Sequence, residues 1–265
     1  MVKRFFNRFY LILILAFLYV PILVLVLLSF NASRSRVMWG GFTLEWYGEM
    51  FANSQIMEAL GTTVVLGLSS AALATLIGLA GALGIDAMRK RGYSLTLGLG
   101  NITLLNADIV TGIALMLWFA RFMKLGYSSV LFAHITFCVP YVLLSILPRL
   151  RQMDISIYEA ARDLGANTLT AFVKVIIPQI LPAVVSGFFM ALTMSMDDFV
   201  VTYFTKGAGI NTLSTMIYSQ VRKGIKPEMY ALSTVIFAAV LIVLLLVNYV
   251  PQIAERRRKR ICAGG

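Results

Sequence analysis

Charge is scarce in this sequence: only 13% of its 265 residues are charged, while 59% are hydrophobic. A soluble domain carries about a quarter charged residues and at most about half apolar ones, so this chain has too little charge to cover a globule in water. Charged residues are missing from several segments of the sequence. These segments are long enough to cross a bilayer, since a span needs about 20 mostly apolar residues. The composition therefore predicts an integral membrane protein.

The residues of most catalytic and metal sites are also missing. The two cysteines lie far apart, Cys138 in an apolar run and Cys262 in a basic tail, which argues against a disulfide framework or a metal site. The sequence has no HExxH, GxSxG or clustered Cys/His pattern, and no glycine-rich phosphate loop with its lysine. We therefore expect no catalytic residue, metal or cofactor in this chain, and no ATP hydrolysis by it.

What is present is a series of long apolar runs. They lie at approximately 9–30, 60–85, 99–120, 128–148, 183–204 and 231–253. Each is predicted to be a helix, because a lone helix satisfies its own backbone hydrogen bonds in lipid. The first run is too long for a signal peptide and is interpreted as a span. The expected fold is all-α, with about six transmembrane helices in one membrane domain over residues 1–265.

The basic residues indicate the orientation. The net charge of +11 could suggest a nucleic-acid partner, but the lysines and arginines sit in short loops and tails between the apolar runs, which excludes that interpretation. Fifteen of the 23 lie in the N-terminus, 86–98, 149–182 and the C-terminal tail, and eight lie on the other side. Cytoplasmic edges carry the excess of basic residues. Both termini are therefore predicted to be cytoplasmic.

The longest cytoplasmic loop, at 150–182, is predicted to be structured. Ser156 and Glu159 have the spacing of a capping box at a helix start. Gly165 stands where a helix end favours a left-handed residue. Thr168 is a candidate cap for a second short helix, and Pro178 is expected to end it, because proline cannot extend a helix interior. The prediction is a helix, a sharp turn and a second helix outside the membrane.

This loop resembles the EAA motif of ABC importer permeases. The matching residues are Glu159-Ala160-Ala161, Gly165 after three residues, and Val175-Ile176-Ile177-Pro178 after nine more. Val175 and Ile177 depart from the usual Ile and Leu of the motif, but both remain apolar. The resemblance implies the type I ABC importer permease fold. It also implies that the loop is the coupling helix that docks on an ATP-hydrolysing subunit.

A wider resemblance, to the permeases of spermidine/putrescine importers, covers nearly the whole chain. It rests on SFNASR after the first span, Trp46-Tyr47, Asp108-Ile109-Val110, His134-Ile135-Thr136-Phe137-Cys138, the EAA segment and Ser195-Met196-Asp197-Asp198. It implies a bacterial inner-membrane complex with a second permease subunit and a periplasmic polyamine-binding protein. Two ATPase subunits of that complex would bind ATP and Mg.

Three acids lie inside predicted spans: Asp108 in the third, and Asp197 and Asp198 in the fifth. A charge at the bilayer centre costs at least about 2.5–3.5 kcal/mol, so such acids are functional by default. Trp118 and Tyr203 could add aromatic faces for a cation. These five residues are the predicted substrate path, and they favour a cationic cargo. Alternatively, the acids cap helix breaks or pair with basic residues of a partner subunit.

Two other functions remain open at this stage. The chain could be an ABC permease for another small solute, such as sulfate, thiamine or iron. It could also be an ion-coupled carrier with the three acids as a proton relay, although that would leave the cytoplasmic loop without a role. The lone histidine, His134, is expected to be a packed residue of the fourth span rather than a ligand.

Overall fold

The computed structural model describes residues 2–34 and 37–241. Within this part of the chain the protein is helical, and the one β-type pairing is an isolated bridge between Asn31 and Phe42. The chain divides into two compact units. One is Glu58–Tyr218, and the other combines Met1–Met57 with Ser219–Gly265.

The described helices have the following bounds in chain order: α1 (Val2–Ser29), α2 (Glu45–Ala52), α3 (Ser54–Asp86), α4 (Lys90–Leu105), α5 (Asp108–Phe122), α6 (Tyr127–Arg151), α7 (Ile155–Asp163), α8 (Thr168–Ala171), α9 (Ile177–Asp197), α10 (Val200–Thr205), α11 (Leu213–Lys223) and α12 (Pro227–Leu241). A π-helical turn, Phe172–Ile176, joins α8 to α9. The expected all-α membrane fold is confirmed.

In the unit with both chain ends, the part of α1 from Phe9 onward carries no charged residue, and the most apolar stretch of Phe9–Ser29 buries nothing in the described residues. A helix of that kind suits lipid or the interior of an assembly. The loop after it is closed by Asn31, whose Oδ1 accepts hydrogen bonds from the backbone N–H of Ser33 and Gly40. The Asn31 carbonyl accepts a third from the indole N–H of Trp46 at 2.7 Å.

The core of the unit Glu58–Tyr218 lies where α3, α6 and α9 meet. Small residues allow the close approach: a Cβ at Gly78 of α3 would lie 2.6 Å from Cγ1 of Val142, and one at Gly187 of α9 would lie 3.3 Å from the same atom. Helix pairs in membranes pack through small residues in this way, since lipid gives no hydrophobic drive between helices. This packing fixes α9 against α6, next to the candidate site.

Four helical segments have the length and hydropathy of a span, and they correspond to the first, second, fourth and fifth predicted runs: Phe9–Ser29, Ser54–Asp86, Tyr127–Arg151 and Thr168–Asp197. The third, predicted as one helix at 99–120, is wrong in detail because Asn106 and Ala107 divide it into α4 and α5. The fifth, predicted to run to 204, ends at Asp197 and resumes as α10. The sixth is helical from Pro227 to Leu241, and its remainder, 242–253, lies outside the described residues.

Candidate functional site

The cytoplasmic loop begins with α7, and its cap differs from the predicted one. Asp154 is the N-cap, with Oδ1 accepting a hydrogen bond from the backbone N–H of Ser156 at 3.0 Å. The predicted box, with Ser156 as the capping residue and Glu159 as its partner, is wrong because the helix starts earlier. Bonding of the ionised carboxylate by Ser156 lowers the pKa of Asp154 below its usual value.

The turn after α7 is confirmed as a glycine-dependent helix end. Gly165 has φ +87°, in the left-handed region. Its N–H donates to the carbonyl of Arg162 at 3.0 Å, and the N–H of Ala166 donates to the carbonyl of Ala161 at 3.1 Å. This bond pair is the Schellman motif. Two positions of the EAA pattern, Ala161 and Gly165, therefore act together to stop α7 and turn the chain.

The second helix of the loop also departs from the prediction. Asn167, rather than Thr168, caps it, accepting a hydrogen bond from the N–H of Thr170 at 2.7 Å. Pro178 does not end it, since α8, the π-helical turn and α9 form one continuous run, Thr168–Asp197. Pro178 stands in the first turn of α9, directly after the widened turn, where a missing N–H is tolerated. The loop is thus joined rigidly to the fifth span.

The loop presents the EAA residues and apolar side chains to the outside. Glu159, Ala160 and Pro178 are exposed, and Leu164 and Leu169 are 89% and 71% exposed. Exposed leucines beside a capped, sharply turned helix are typical of a protein-docking surface.

The second feature of the candidate site is a pair of breaks in predicted membrane spans. The third span is broken before α5, which opens on Asp108, and the fifth is broken before α10, just after Asp198. α5 and α10 pack on each other: a Cβ at Gly112 would lie 3.1 Å from the Phe204 ring and 3.4 Å from the Val200 carbonyl oxygen. Broken helices at membrane depth occur where the backbone is buried in protein or lines a cavity, and transporters bind substrates at such places.

Asp198 is turned into the protein. Its side chain is 9% exposed. Oδ1 accepts from the N–H of Val201 at 3.1 Å, while Oδ2 accepts from the N–H and hydroxyl of Thr202 at 2.7 and 2.8 Å. Its backbone carbonyl accepts from the Ser214 hydroxyl at 2.7 Å. Asp198 therefore caps α10 across the break, the alternative that the sequence left open for these acids.

The other predicted path acids remain accessible. Asp108 and Asp197 are exposed. In the described part of the chain, neither carboxylate has a hydrogen-bond or ion-pair partner. Tyr203 is 45% exposed and belongs to an aromatic cluster with Phe199 and Tyr218, whose ring centroids lie 4.5–6.0 Å apart. Trp118 packs on Phe122 at 5.1 Å and has no ring contact with that cluster among the residues that the structure describes. The structure thus separates the five predicted path residues into several groups.

Sequence reasoning missed Phe199, Tyr218 and the bonding of His134. The packing of His134 is confirmed, with no exposed surface. However, both of its ring nitrogens are bonded, to Ser195 at 2.6 Å and Thr202 at 2.8 Å. Only the position of a histidine in an apolar span signalled this role. No group of three or more His, Cys, Asp or Glu side chains that could hold a metal occurs among the residues that the structure describes.

Comparison with known proteins decides the family. Residues 1–260 match the family described as binding-protein-dependent transport system inner membrane component. The chain belongs to this family. It is therefore a multi-pass membrane protein and a transport permease subunit, as the sequence predicted.

Two relatives are similar to this chain over nearly its full length. The chain is 37% identical over 246 residues to the spermidine/putrescine transport system permease protein PotC of Escherichia coli K12, covering 92% of this chain and 93% of that one. It is 37% identical over 252 residues to the putrescine transport system permease protein PotI of the same organism, covering 92% and 90%.

Solved structures support the fold. A chain from a bacterial ABC transporter involved in import of the acidic polysaccharide alginate superposes with a TM-score of 0.68 at 15% identity, over 95% of this chain and 96% of that one. A chain of an amino acid ABC transporter has a TM-score of 0.54 at 22% identity. At these identities the likeness concerns the fold alone, and it confirms the predicted ABC importer permease architecture.

Proposed function

We propose that this chain forms half of a polyamine translocation path and that spermidine or putrescine is the cargo. The proposal is supported by the names of the relatives, which are permeases of spermidine/putrescine and putrescine transport systems. The other half of the path would come from a second permease subunit. A periplasmic polyamine-binding protein would deliver the cargo at the outer face.

The observation that carries the proposal is the pair of exposed carboxylates at the two helix breaks, Asp108 and Asp197. Phe199 and Tyr203 follow the second break directly in sequence, and Tyr218 of α11 packs on both of their rings. A polyamine is a chain of ammonium groups joined by methylenes, so carboxylates can pair with its charges and aromatic faces can cover both its charges and its methylenes. An anionic cargo would be repelled by the same acids.

Energy for transport would come from two partner ATPase subunits that bind ATP and Mg, because this chain has no phosphate-binding loop. The docking surface for them would be the loop that carries Glu159, Ala160, Ala161, Gly165 and Pro178. The continuous run Thr168–Asp197 leads from this loop to the second break. A movement of the loop would therefore reach the path through one helix.

Membrane orientation follows from the basic residues. We propose that both termini face the cytoplasm of a bacterial cell, with the coupling loop on the same side and the segment after α10 on the outer side. The excess of lysine and arginine at the termini and in the loop supports this orientation.

The decisive test is uptake by the complete complex in proteoliposomes. Radiolabelled spermidine and putrescine are supplied with the binding protein, with ATP inside or absent, and with sulfate, thiamine or ferric iron as competing solutes. We expect ATP-dependent polyamine uptake that none of these competitors reduces. Uptake of another solute in place of polyamines would contradict the cargo assignment, and uptake driven by a proton gradient without ATP would contradict the importer mechanism.

A further inference from the structure

A groove runs between α4 and α6 where α4 begins and α6 ends. Its cavity measures about 320 Å³, at the small end of the range of about 300–1,000 Å³ for ligand sites. Leucines line most of its length, and its polar members, Tyr93, Arg151 and Gln152, stand together at one end. The groove thus combines an apolar channel with a charged end.

The apolar part of the groove lies on the side of a membrane-spanning helix. Leu144, Leu147 and Arg151 follow one another on α6 at the spacing of neighbours on one helix face. From Leu144 to Arg151 the groove extends about 10 Å along the helix, at 1.5 Å per residue. Leu144 is 45% exposed, and α6 has the length and hydropathy of a span. Hydrocarbon is therefore the natural filling of this part.

The charged end of the groove is a guanidinium held in place. Cζ of Arg151 lies 3.4 Å from the centroid of the Tyr93 ring, and its Nε lies 3.6 Å from Oδ1 of Asp86. The Arg151 side chain is still 46% exposed, and within the described ranges it donates no hydrogen bond. Its Nη groups are therefore available to an oxygen ligand, and arginine binds phosphate oxygens through two parallel N–H bonds.

The helix ends that form the groove carry more positive than negative charge. Arg89 precedes α4 directly, Arg91 lies in its first turn, and Arg149 lies in the last turn of α6. All three are exposed, and none has an ion pair in the part of the chain that the structure describes. Asp86 is the one acid paired with Arg151 there. This end is thus complementary to an anion.

We propose that the groove binds an anionic phospholipid, with its phosphate on Arg151 and part of one acyl chain along Leu97, Leu144 and Leu147. Basic pockets between membrane helices bind the headgroups of anionic lipids. A zwitterionic lipid would bring an ammonium group to the same arginines and be held less well. The proposal requires only that the chain lies in a membrane, so it does not depend on the cargo.

Lipid retention measures the site. The complete complex is purified in mild detergent and supplied with phosphatidylglycerol or phosphatidylethanolamine of the same acyl chains, and native mass spectrometry counts the lipids that stay bound. We expect phosphatidylglycerol to be retained more strongly. Arg151→Gln should lower its apparent affinity about fivefold, and Arg151→Lys, which keeps a point charge, should lower it less. Equal retention of the two lipids would overturn the proposal.

Arg149→Gln is the matched control for charge. Arg149 is also exposed at the end of α6, but its Nε donates to the carbonyl of Gln179 at 3.3 Å and it does not line the groove. Retention of phosphatidylglycerol should be unchanged in this variant. An equal loss in Arg149→Gln and Arg151→Gln would reduce the effect to general surface charge and would contradict a site in the groove.

The apolar part is tested without removing any charge. Leu144→Trp should fill the groove and lower the retention of phosphatidylglycerol, whereas Leu181→Trp, at a 50% exposed leucine of α9, should not. Inorganic phosphate carries the headgroup chemistry without the chains and should not displace the bound lipid. Displacement by phosphate, or normal retention in Leu144→Trp, would show a site for a free anion instead. These arms still decide the proposal if Arg151→Gln does not fold.

Crosslinking identifies the occupant in the membrane itself. A photo-crosslinking amino acid in place of Leu144 is activated in the complete complex, and the products are separated by mass. We expect an adduct with phospholipid. An adduct with another protein subunit would show that the groove is a subunit interface and would overturn the proposal. No arm measures uptake, so a different cargo would leave these results unchanged.

Discussion

Asp197 and Asp198 are neighbours in sequence with opposite surroundings. The Asp197 side chain is exposed at the end of α9, whereas the Asp198 carboxylate is nearly buried and accepts three hydrogen bonds from Val201 and Thr202. The break in the helix lies at this pair, so one acid completes the fold and the other remains available to a ligand. Removing the charge from each should therefore have different effects.

Asp197→Asn should reduce polyamine uptake by about five- to 150-fold, the loss of one partly desolvated contact with an ammonium of 1–3 kcal/mol. Its stability in detergent should not fall, because no bond of the described protein is lost. Asp198→Asn should instead lower the stability of the chain by about 1–3 kcal/mol, since its charged hydrogen bonds are weakened. Thermal unfolding and uptake, measured on both variants, separate the two roles. Equal melting temperatures would contradict the assignment.

Gly165→Ala should impair coupling while leaving the spans intact. A side chain at φ +87° costs about 1–2 kcal/mol, so the Schellman turn opens and α7 loses its fixed angle to the fifth span. We expect binding-protein-stimulated ATPase activity of the complex to fall and detergent stability to stay unchanged. Gly84→Ala is the control, because Gly84 is helical on α3 with open space around its Cβ position. Normal stimulation in Gly165→Ala would remove the loop from the coupling model.

Asp154→Ala should loosen the first turn of α7, because the N–H of Ser156 loses its acceptor. Amide hydrogen exchange in the full chain should be faster there and unchanged in α9, and Asp154→Asn, which keeps an acceptor, should be intermediate.

The lowered pKa of Asp154 determines how the stability of this helix cap depends on pH. The cap is complete above the usual carboxyl pKa and is lost as pH falls through the lower folded value, so exchange should not depend on this group between about pH 5 and 8.

The sequence predicted the parts of the fold that depend on composition and local pattern. Hydropathy found the long helices, and the position of Gly165 at a left-handed turn followed from glycine alone. The breaks were predicted only as an alternative role for the acids, because residues 99–120 and 183–204 have the composition of continuous apolar runs and no proline or glycine stands next to Asn106 or Asp198. Asp154 and Asn167 were missed as caps because several polar residues compete at each helix start. The bonding of His134 to Ser195 and Thr202 depends on tertiary packing, which no spacing reveals.

A reporter fused after Gly265 tests the orientation. Fifteen of the 23 basic residues lie on the side with both termini, so we expect a reporter that is active in the cytoplasm to work there and one that needs the periplasm to be silent. A second fusion at Gly209, in the segment after α10, should give the reverse result. Periplasmic activity at Gly265 would contradict the placement of the coupling loop.

Side chains of increasing size at position 112 test the contact between α5 and α10. A Cβ there would lie 3.1 Å from the ring of Phe204 and 3.4 Å from the Val200 carbonyl, so Gly112→Ala requires only a small shift of the ring. Gly112→Val is expected to push the helices apart and to cost about 1–3 kcal/mol by overpacking. Thermal unfolding of the chain in detergent should rank the unaltered protein, Gly112→Ala and Gly112→Val in that order.

Gly98→Val provides the comparison, because Gly98 lies in α4, the other half of the same span, with open space around its Cβ position. It should not be destabilised, because valine has a somewhat higher helix propensity than glycine. Uptake should follow the same order, since separation of α5 from α10 moves Asp108 relative to the second break without removing its charge. If Gly112→Val behaves like Gly98→Val in both measurements, the two half-helices are not packed at this point, and the acids at their breaks do not share one path.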